Sequence, residues 1–521
     1  MSNSAFVVSS SWIAGLCLAL AGCVGGRPVQ QPPPYSGQKP HQSWSPAVQA
    51  QRYPIYHVNA PANQPATSPA NVRLTQYQHQ ANFQTHPHDL QNSRPIDFST
   101  ALSMAAGQNP QVEFANARIR EAMAQLHGAQ TLWLPSIRGG VNYNKHDGTL
   151  QASGGAVTDV NRASLQTGLG LRAIGAGTPA VPGVAAKFHT TDALFQPRIA
   201  GLRTAARHDE ARATKNDVLL ETSLAYLELL RSAQQQRIAE ETRHHARQLA
   251  DMTTTFADSG QGGQADADRA RTELSLRENE VVRAEEAAAV ASTRLAELLH
   301  VDPSTTLLPQ ETGVMTIHLV AANMPRNEML ATGLSNRPEL AQSRHLVGEA
   351  IERLRRERFA PLVPSVLLGM SYSGFGGSAG SSSTTNFAER LDFDAAAYWE
   401  VRNLGFGEAS ARNEARARID QARLRQVQTM DRVAREIAEA HAQVTSRVRQ
   451  IATAEGGVQA ALASYERNIS RIRQAQGLPL EVLQSIQALD QARRESLRAL
   501  VDYNEAQFRL HRALGCPTQC M

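Results

Sequence analysis

Two spacings of hydrophobic residues alternate along this chain, and each occurs in both halves. The longer is clearest toward the C-terminus, where Met430, Ile437, Val444, Ile451, Val458, Tyr465 and Ile472 recur every seven residues. Val433, Val448, Leu462 and Ile469 form a second stripe beside them. A seven-residue repeat keeps one apolar seam on the side of a helix that winds left-handedly around its neighbours. Such a stripe by itself predicts helical packing; length says more. The segment from Gly201 to Asp258 predicts one helix of about 58 residues, ~87 Å at 1.5 Å per residue. A helix of about 25 residues before the strand region and one of about 37 after the turn sum to nearly that length. Two shorter helices stacked end to end can therefore flank each long one. Helices this long with thin seams predict the wall of a rod or tube.

The shorter spacing is two. Ile137, Val141 and Tyr143 alternate with Arg138, Asn142 and Asn144; Leu165, Leu169 and Leu171 alternate with Ser164, Gln166 and Gly168. Val366, Leu368, Met370 and Tyr372 share a face, with Ser365, Gly369, Ser371 and Ser373 among their alternates. One apolar and one polar face over about ten residues suits a transmembrane barrel strand, with lipid outside and water inside. A half-buried strand of a soluble sheet alternates in the same way. Gly/Ala/Thr-rich stretches at about 146–162, 173–187 and 374–386 read as surface loops and favour the membrane. The second strand of the first half has two candidates, Ala163 to Arg172 and Ala186 to Phe195. Four strands cannot close a barrel, and open edges are intolerable in lipid; three chains would supply twelve.

The chain is one unit written twice. Asn109-Pro110-Gln111-Val112 opens a helix that ends at Leu134-Pro135-Ser136-Ile137, and Arg337-Pro338-Glu339-Leu340 opens one that ends at Val363-Pro364-Ser365-Val366. The Pro-to-Pro spacings are 25 (135 − 110) and 26 (364 − 338). Beyond the strands the halves keep an offset of 215: Ala225 with Ala440, Gly262 with Gly477, Asp266 with Glu481, Leu274 with Leu489, Leu299 with Leu514. The fold class expected is mainly α with a small membrane β portion, each repeat running helix, strand pair, long helix, return helix. The repeats fall at about 96–310 and 322–516.

Composition removes other classes. The 521 residues contain 5% aromatics and 42% hydrophobics, and 52 Lys+Arg stand against 48 Asp+Glu. Charges of both signs mix along the same helices, which leaves no basic footprint for nucleic acid. No apolar run reaches the 18 residues of a membrane-spanning helix. Trp12 to Gly22 is a short apolar run ended by small residues, the pattern of a secretory signal over 1–22. It leads into Leu20-Ala21-Gly22-Cys23, which resembles the bacterial lipobox; the Cys23 thiol would take the diacylglycerol, and Val24 is compatible with outer-membrane sorting. No Lys or Arg precedes Trp12, a departure from the usual signal. Residues 23–95 are rich in Pro, Gln, Asn and Ser and read as an extended, lipid-anchored tether. His41, His57, His79, His86 and His88 lie in it at spacings that fit no tight metal site. Cys516 and Cys520 allow a tail disulfide. With no P-loop, HExxH, Cys-pair metal cluster or Gly-x-Ser-x-Gly elbow, neither catalysis nor a cofactor or metal is expected.

The paired Asn-Pro and Leu-Pro-Ser segments, the turn from Gly477 to Gln484 and the closing Ala513-Leu514-Gly515 resemble the TolC-type outer-membrane efflux channels. The resemblance covers about 96–515. It implies a homotrimer, with a twelve-stranded β-barrel in the outer membrane continued by a twelve-helix α-barrel in the periplasm. Substrate would pass without catalysis from an inner-membrane pump through a periplasmic adaptor into the tube. The resemblance places the mouth and the adaptor contact at two tips, Ser259 to Gly263 and Gln476 to Pro479, with Gly260, Gly262, Gly263, Gly477, Leu478 and Pro479 the contact residues. Relatives with Asp-Val-Leu-Asp beyond the tip use those acids to narrow the pore and favour cations. This chain has Glu481-Val482-Leu483-Gln484, with Asp266 at the matching place of the first repeat. Asp266, Glu481 and Gln484 are thus aperture candidates, although an acid in a first helical turn also complements the helix dipole. A lipid-anchored coiled-coil scaffold or envelope adaptor without a pore is the alternative reading.

Overall fold

The computed structural model describes residues 93–134, 139–169, 184–321, 324–379, 388–474 and 476–516. The expected signal peptide, Cys23, the tether up to residue 92, and Cys520 lie outside the described residues.

The first repeat runs β1 (Ser93–Ile96), α1 (Phe98–Gln108), α2 (Pro110–Gln130), β2 (Gly139–Gln151), β3 (Val157–Leu169), β4 (Val184–Phe188), α3 (Thr190–Asp258) and α4 (Gln264–Leu299). After β5 (Thr306–Pro309), the second runs α5 (Arg326–Asn336), α6 (Pro338–Phe359), β6 (Ser365–Ala379), β7 (Ala388–Tyr398), α7 (Phe406–Arg473) and α8 (Pro479–Ala513). β1 pairs in parallel with β5 from Ser93, so residues 93–95, assigned to the tether in the sequence, take part in a strand. Local signals set the helix starts. The Asn109 side chain accepts from Gln111 N at 2.9 Å, with Pro110 at the first helical position, where no N–H is needed. Pro338 and Pro479 fill the same position in α6 and α8.

The two long helices have 69 and 68 residues. α3 begins at Thr190 rather than near Gly201 and carries Pro197 inside it. A proline normally ends a helix because it lacks the N–H and crowds the carbonyl four residues back. Here tertiary contacts hold the first turns: Phe195 stacks on Phe359 at 5.8 Å, and Arg356 Nε donates to Asp192 Oδ1 at 2.7 Å. The stacking of shorter helices along longer ones is as expected. α2 and α4 pack along one side of α3, α6 and α8 along its other side, and α7 packs on α6 and α8. The order across the wall is α2–α3–α6–α7 near the strands and α4–α3–α8–α7 near the tips.

Of the heptad positions, Val433, Ile437, Val444, Tyr465, Ile469 and Ile472 are buried, whereas Met430 and Val448 are 40% and 47% exposed. The seam therefore divides into two cores. One gathers Val433, Ile437 and Val444 with Tyr503, Leu510 and Leu514; the other gathers Tyr465, Ile469 and Ile472 with Leu249, Val482, Ile486 and Leu489 near the tips. The connector between repeats lies across the wall as a strap. Asn504 and Gln507, both fully buried, receive Ile317 N at 2.8 Å and Val320 N at 3.2 Å on their side-chain oxygens. Arg337, at the joint of α5 and α6, donates to Glu339, Glu436 and the Ala513 carbonyl. Cys516 is partly buried against the first of these cores.

The sheet settles which segment forms the second strand: both candidates contribute. β3 pairs with β6 from Val160↔Ala379 to Gln166↔Ser373, and β4 pairs with the same edge of β6 from Val184↔Met370 to Phe188↔Val366. The register sum changes from 539 to 554, so 15 extra residues interrupt one composite strand. The insertion also accounts for the sign of the change in repeat spacing, from 228 between Pro110 and Pro338 to 215 between Gln264 and Pro479, a fall of 13 that is two less than the insertion itself. The expected strand at Ala186 to Phe195 stops at Phe188, and Thr190 to Phe195 are helical. The loop expected at about 146–162 is mostly strand: β2 and β3 stay paired up to Gln151↔Val157, leaving a short turn closed by Ala152 N to Ala156 O at 2.8 Å. Residues 374–379 likewise continue β6.

The sheet is thus four strands wide, ordered β2, β3/β4, β6, β7. Register places Val141, Tyr143, Leu165, Leu169, Val184, Ala186, Phe188, Val366, Leu368, Met370, Tyr372, Leu391, Phe393, Ala395 and Ala397 on one face. The other face carries Asn142, Asn144, Ser164, Gln166, Lys187, Gly369, Ser371, Ser373, Arg390, Asp392 and Asp394, with Ala185, Leu367, Phe375, Ala388 and Ala396 as apolar exceptions. Leu391 and Phe393 are 63% and 73% exposed. Along β6 the apolar band runs from Val366 to Gly374, nine residues, close to the ~9–11 that a tilted strand needs to cross a bilayer; Thr167 lies within it, and Glu389, opposite Gly374, marks its upper edge. Above it, Lys145, Asp147 and Asn161 occupy the same face. Among the described residues, no helix is long and apolar enough to cross a membrane.

Candidate functional site: the two helical tips

Each long helix turns into its return helix through a tight tip, and the two tips are built alike. In the first, Gln261 N and Gly262 N both donate to Phe256 O at 2.9 Å, and Gly260 sits at φ 74°. A Cβ on Gly262 would lie 3.0 Å from Phe256 Cβ. In the second, Gln476 N donates to Arg471 O at 2.9 Å, and a Cβ on Gly477 would lie 3.0 Å from Ile472 N. Gly262 and Gly477 therefore let the chain fold back directly onto the helix it has just left. Gly263 caps α4, and its carbonyl accepts from Asp266 N at 3.1 Å. Pro479 opens α8 as its position in the sequence suggests. Leu478 and Leu480 are exposed on the second tip, while the first presents Gly260 to Gln264.

Behind the tips, Ala267 and Val482, which correspond at the 215 offset, are fully buried. Tyr465 of α7 meets α3 here, its hydroxyl 2.8 Å from His245 Nδ1. Burial pushes the His245 imidazole below its ordinary value; Glu241 opposes that shift, while Arg493 and His244 reinforce it.

The acids singled out from the sequence lie one in each first helical turn, and neither is isolated. Asp266 Oδ1 is 3.6 Å from Arg269 Nη1, and Glu481 Oε2 is 3.1 Å from Arg471 Nη1 on the helix before the tip. The Asp266 and Glu481 side chains remain 40% and 38% exposed, and Gln484 is exposed one turn further on. The cationic partners were missed in the sequence. Arg269 stands three residues after its acid, where helical spacing could have found it; Arg471 is ten residues before Glu481, across a turn whose closure only the structure gives. No group of His, Cys, Asp and Glu suited to a metal occurs among the described residues.

No protein-family model and no curated protein matches this chain. Solved structures do. The chain is similar to the outer-membrane channel OprN, with a TM-score of 0.66 at 18% identity over 81% of this chain and 90% of that one. CusC, described as undergoing conformational changes with folding and transmembrane channel formation, gives 0.63 at 19% identity over 80% and 92%. The Campylobacter jejuni outer-membrane channel CmeC gives 0.65 at 14% identity over 80% and 85%. At these identities the shared property is the fold: a TolC-type arrangement of duplicated long helices and a small sheet.

Proposed function

We propose that three copies of this chain close into a tube that crosses the outer membrane and reaches into the periplasm. It passively conducts substrate delivered by an inner-membrane pump and a periplasmic adaptor. The observation that carries this reading is the sheet. An apolar face nine residues deep opposite a polar one suits a wall between lipid and water. The outer edges of β2 and β7 are unpaired among the described residues, which no barrel tolerates in lipid. Three such sheets joined edge to edge give twelve strands. The fold shared with OprN, CusC and CmeC supports the same use. A pore-free scaffold would have no reason to carry this sheet.

In this reading Cys23 holds the lipid anchor, the tips at Gly260, Gly262, Gly263, Gly477, Leu478 and Pro479 meet the adaptor, and Asp266, Glu481 and Gln484 line the aperture. Three copies of the two acids concentrate negative charge at a narrow opening, favouring cations. Arg269 and Arg471 moderate that field. The full-length protein, extracted from outer membranes in mild detergent, is expected to migrate as a trimer and to give discrete conductance steps in planar bilayers. A monomer that conducts nothing would refute the proposal.

A further inference from the structure

The duplication holds residue by residue after the strands, and it shows which faces lack a partner. At the 215 offset, Val218 and Val433, Thr222 and Ile437, and Leu295 and Leu510 are all 1% exposed or less. Helical phase is therefore conserved between α3 and α7 and between α4 and α8. Yet α3 packs against α8 of its own chain, whereas among the described residues no helix of this chain packs on the matching face of α7. Leu227, Leu230 and Thr242 are buried on α3, while their counterparts Ala442, Thr445 and Gly457 are exposed on α7. Leu497, Val501 and Phe508 are buried on α8, while their counterparts Val282, Glu286 and Thr293 are exposed on α4. The two helices that carry the bare faces also differ in charge. α7 holds 12 Arg and 8 acids, whereas α4 holds 8 acids and 5 Arg.

One polar contact of the internal seam can be carried across. Arg512 Nε of α8 donates to Asp217 Oδ1 of α3 at 2.8 Å. Subtracting 215 from Arg512 gives Glu297 on α4; adding 215 to Asp217 gives Arg432 on α7. The pair is kept with its signs exchanged. Both residues are exposed, and neither makes an ion pair among the described residues. The local charge on α4 asks for a cation. Arg512 also bonds Glu436 at 2.8 Å, whereas the place of Glu436 in the first repeat is taken by Glu221, so Glu221 and Glu297 stand without an arginine of their own chain among the described residues.

We infer that the α4 face of one chain docks on the α7 face of a second copy, with Glu297 of one paired to Arg432 of the next. This rests on the trimeric reading above and deepens it. The internal α3–α8 seam supplies the geometry, and the contact is heterologous, so that each copy offers one α4 face and one α7 face and a ring can close.

The test uses the full chain in mild detergent. Glu297→Arg alone and Arg432→Glu alone are expected to lose the trimer, because each places like charges across every seam. The double variant, Glu297→Arg with Arg432→Glu, is expected to regain it. Because a single variant could fail for other reasons, proximity is read separately. With Cys516 and Cys520 changed to Ser, Glu297→Cys plus Arg432→Cys treated with a short bismaleimide should give covalent dimers and trimers, and either cysteine alone should not. A wild-type trimer whose charge exchange does not rescue assembly, or whose cysteine pair does not cross-link, overturns this seam and leaves the channel reading intact. A wild-type monomer overturns both.

Discussion

Gly262 and Gly477 stand 215 residues apart and do the same work: a side chain on either would come within 3.0 Å of the helix that has just ended. Each tip is closed by the absence of a Cβ. Gly262→Ala and Gly477→Ala are therefore expected to loosen their own tips by about 1–3 kcal/mol, the usual cost of overpacking. Amide hydrogen exchange should rise in residues 254–266 for the first variant and 470–482 for the second, with the strands unchanged. Equal protection in wild type and variants would contradict the geometry.

Gly515 is a stricter case. It has φ 80°, and a Cβ there would lie 2.8 Å from the backbone carbon of Asn336. Left-handed backbone costs a non-glycine residue about 1–2 kcal/mol, and the neighbouring backbone cannot move aside like a side chain. Gly515→Ala should lower the apparent melting temperature of the purified protein more than either tip variant does. A smaller loss than at the tips would rule this out.

Arg337 joins the end of α8 to the second repeat. Its side chain is 2% exposed and lies 2.9 Å from Glu339 and 2.8 Å from Glu436. Arg337→Met would leave those carboxylates to Arg512 alone, and breaking a buried pair typically costs about 3–5 kcal/mol. Thermal unfolding followed by circular dichroism should show a large loss. Arg337→Lys should recover only part of it, because an ammonium cannot reproduce the forked contact.

His245 gives the tip core a pH dependence of known sign. Burial keeps its folded pKa below the ordinary 6.5, so the unfolded chain takes up the proton first. The contribution to stability is full above about pH 6.5 and is lost as pH falls through the folded value. The melting-temperature difference between wild type and His245→Gln should change below that pH and stay constant above it. His511, also held low by burial, is present in both proteins and cancels from the difference.

The proposed aperture makes selectivity depend on Arg269 and Arg471 as well as on Asp266 and Glu481. Glu481→Gln combined with Asp266→Asn should abolish cation preference in reversal-potential measurements. Arg471→Ala, by freeing Glu481 from a 3.1 Å contact, should increase it. If all variants keep wild-type selectivity, these side chains do not face the conducting path.

Much of this architecture was legible in the residues because equal helix lengths leave equal spacings. The 215 offset fits both the ends of the long helices, at Asp258 and Arg473, and the starts of the return helices, at Gln264 and Pro479. Alternation located β2, β3 and β6, since one face of each is apolar. It could not decide between Leu165 and Ala186 for the second strand, because both belong to one strand that an insertion divides. Nor could local sequence place the start of α3, where Pro197 signals a break that Phe359 and Arg356, more than 150 residues away, override. Asn504, Gln507 and Arg471 were hidden for the same reason: their partners lie across turns or on the strap. The tip glycines were recognisable, but the reason for Gly262 and Gly477 is lack of space, which only the folded turn shows.

The most direct measurement is single-channel recording in planar bilayers on the detergent-purified full chain, with its mass determined by light scattering in the same preparation. A closed tube of identical subunits predicts a mass of three chains and discrete, ohmic conductance steps. One chain per particle and a silent bilayer would contradict it.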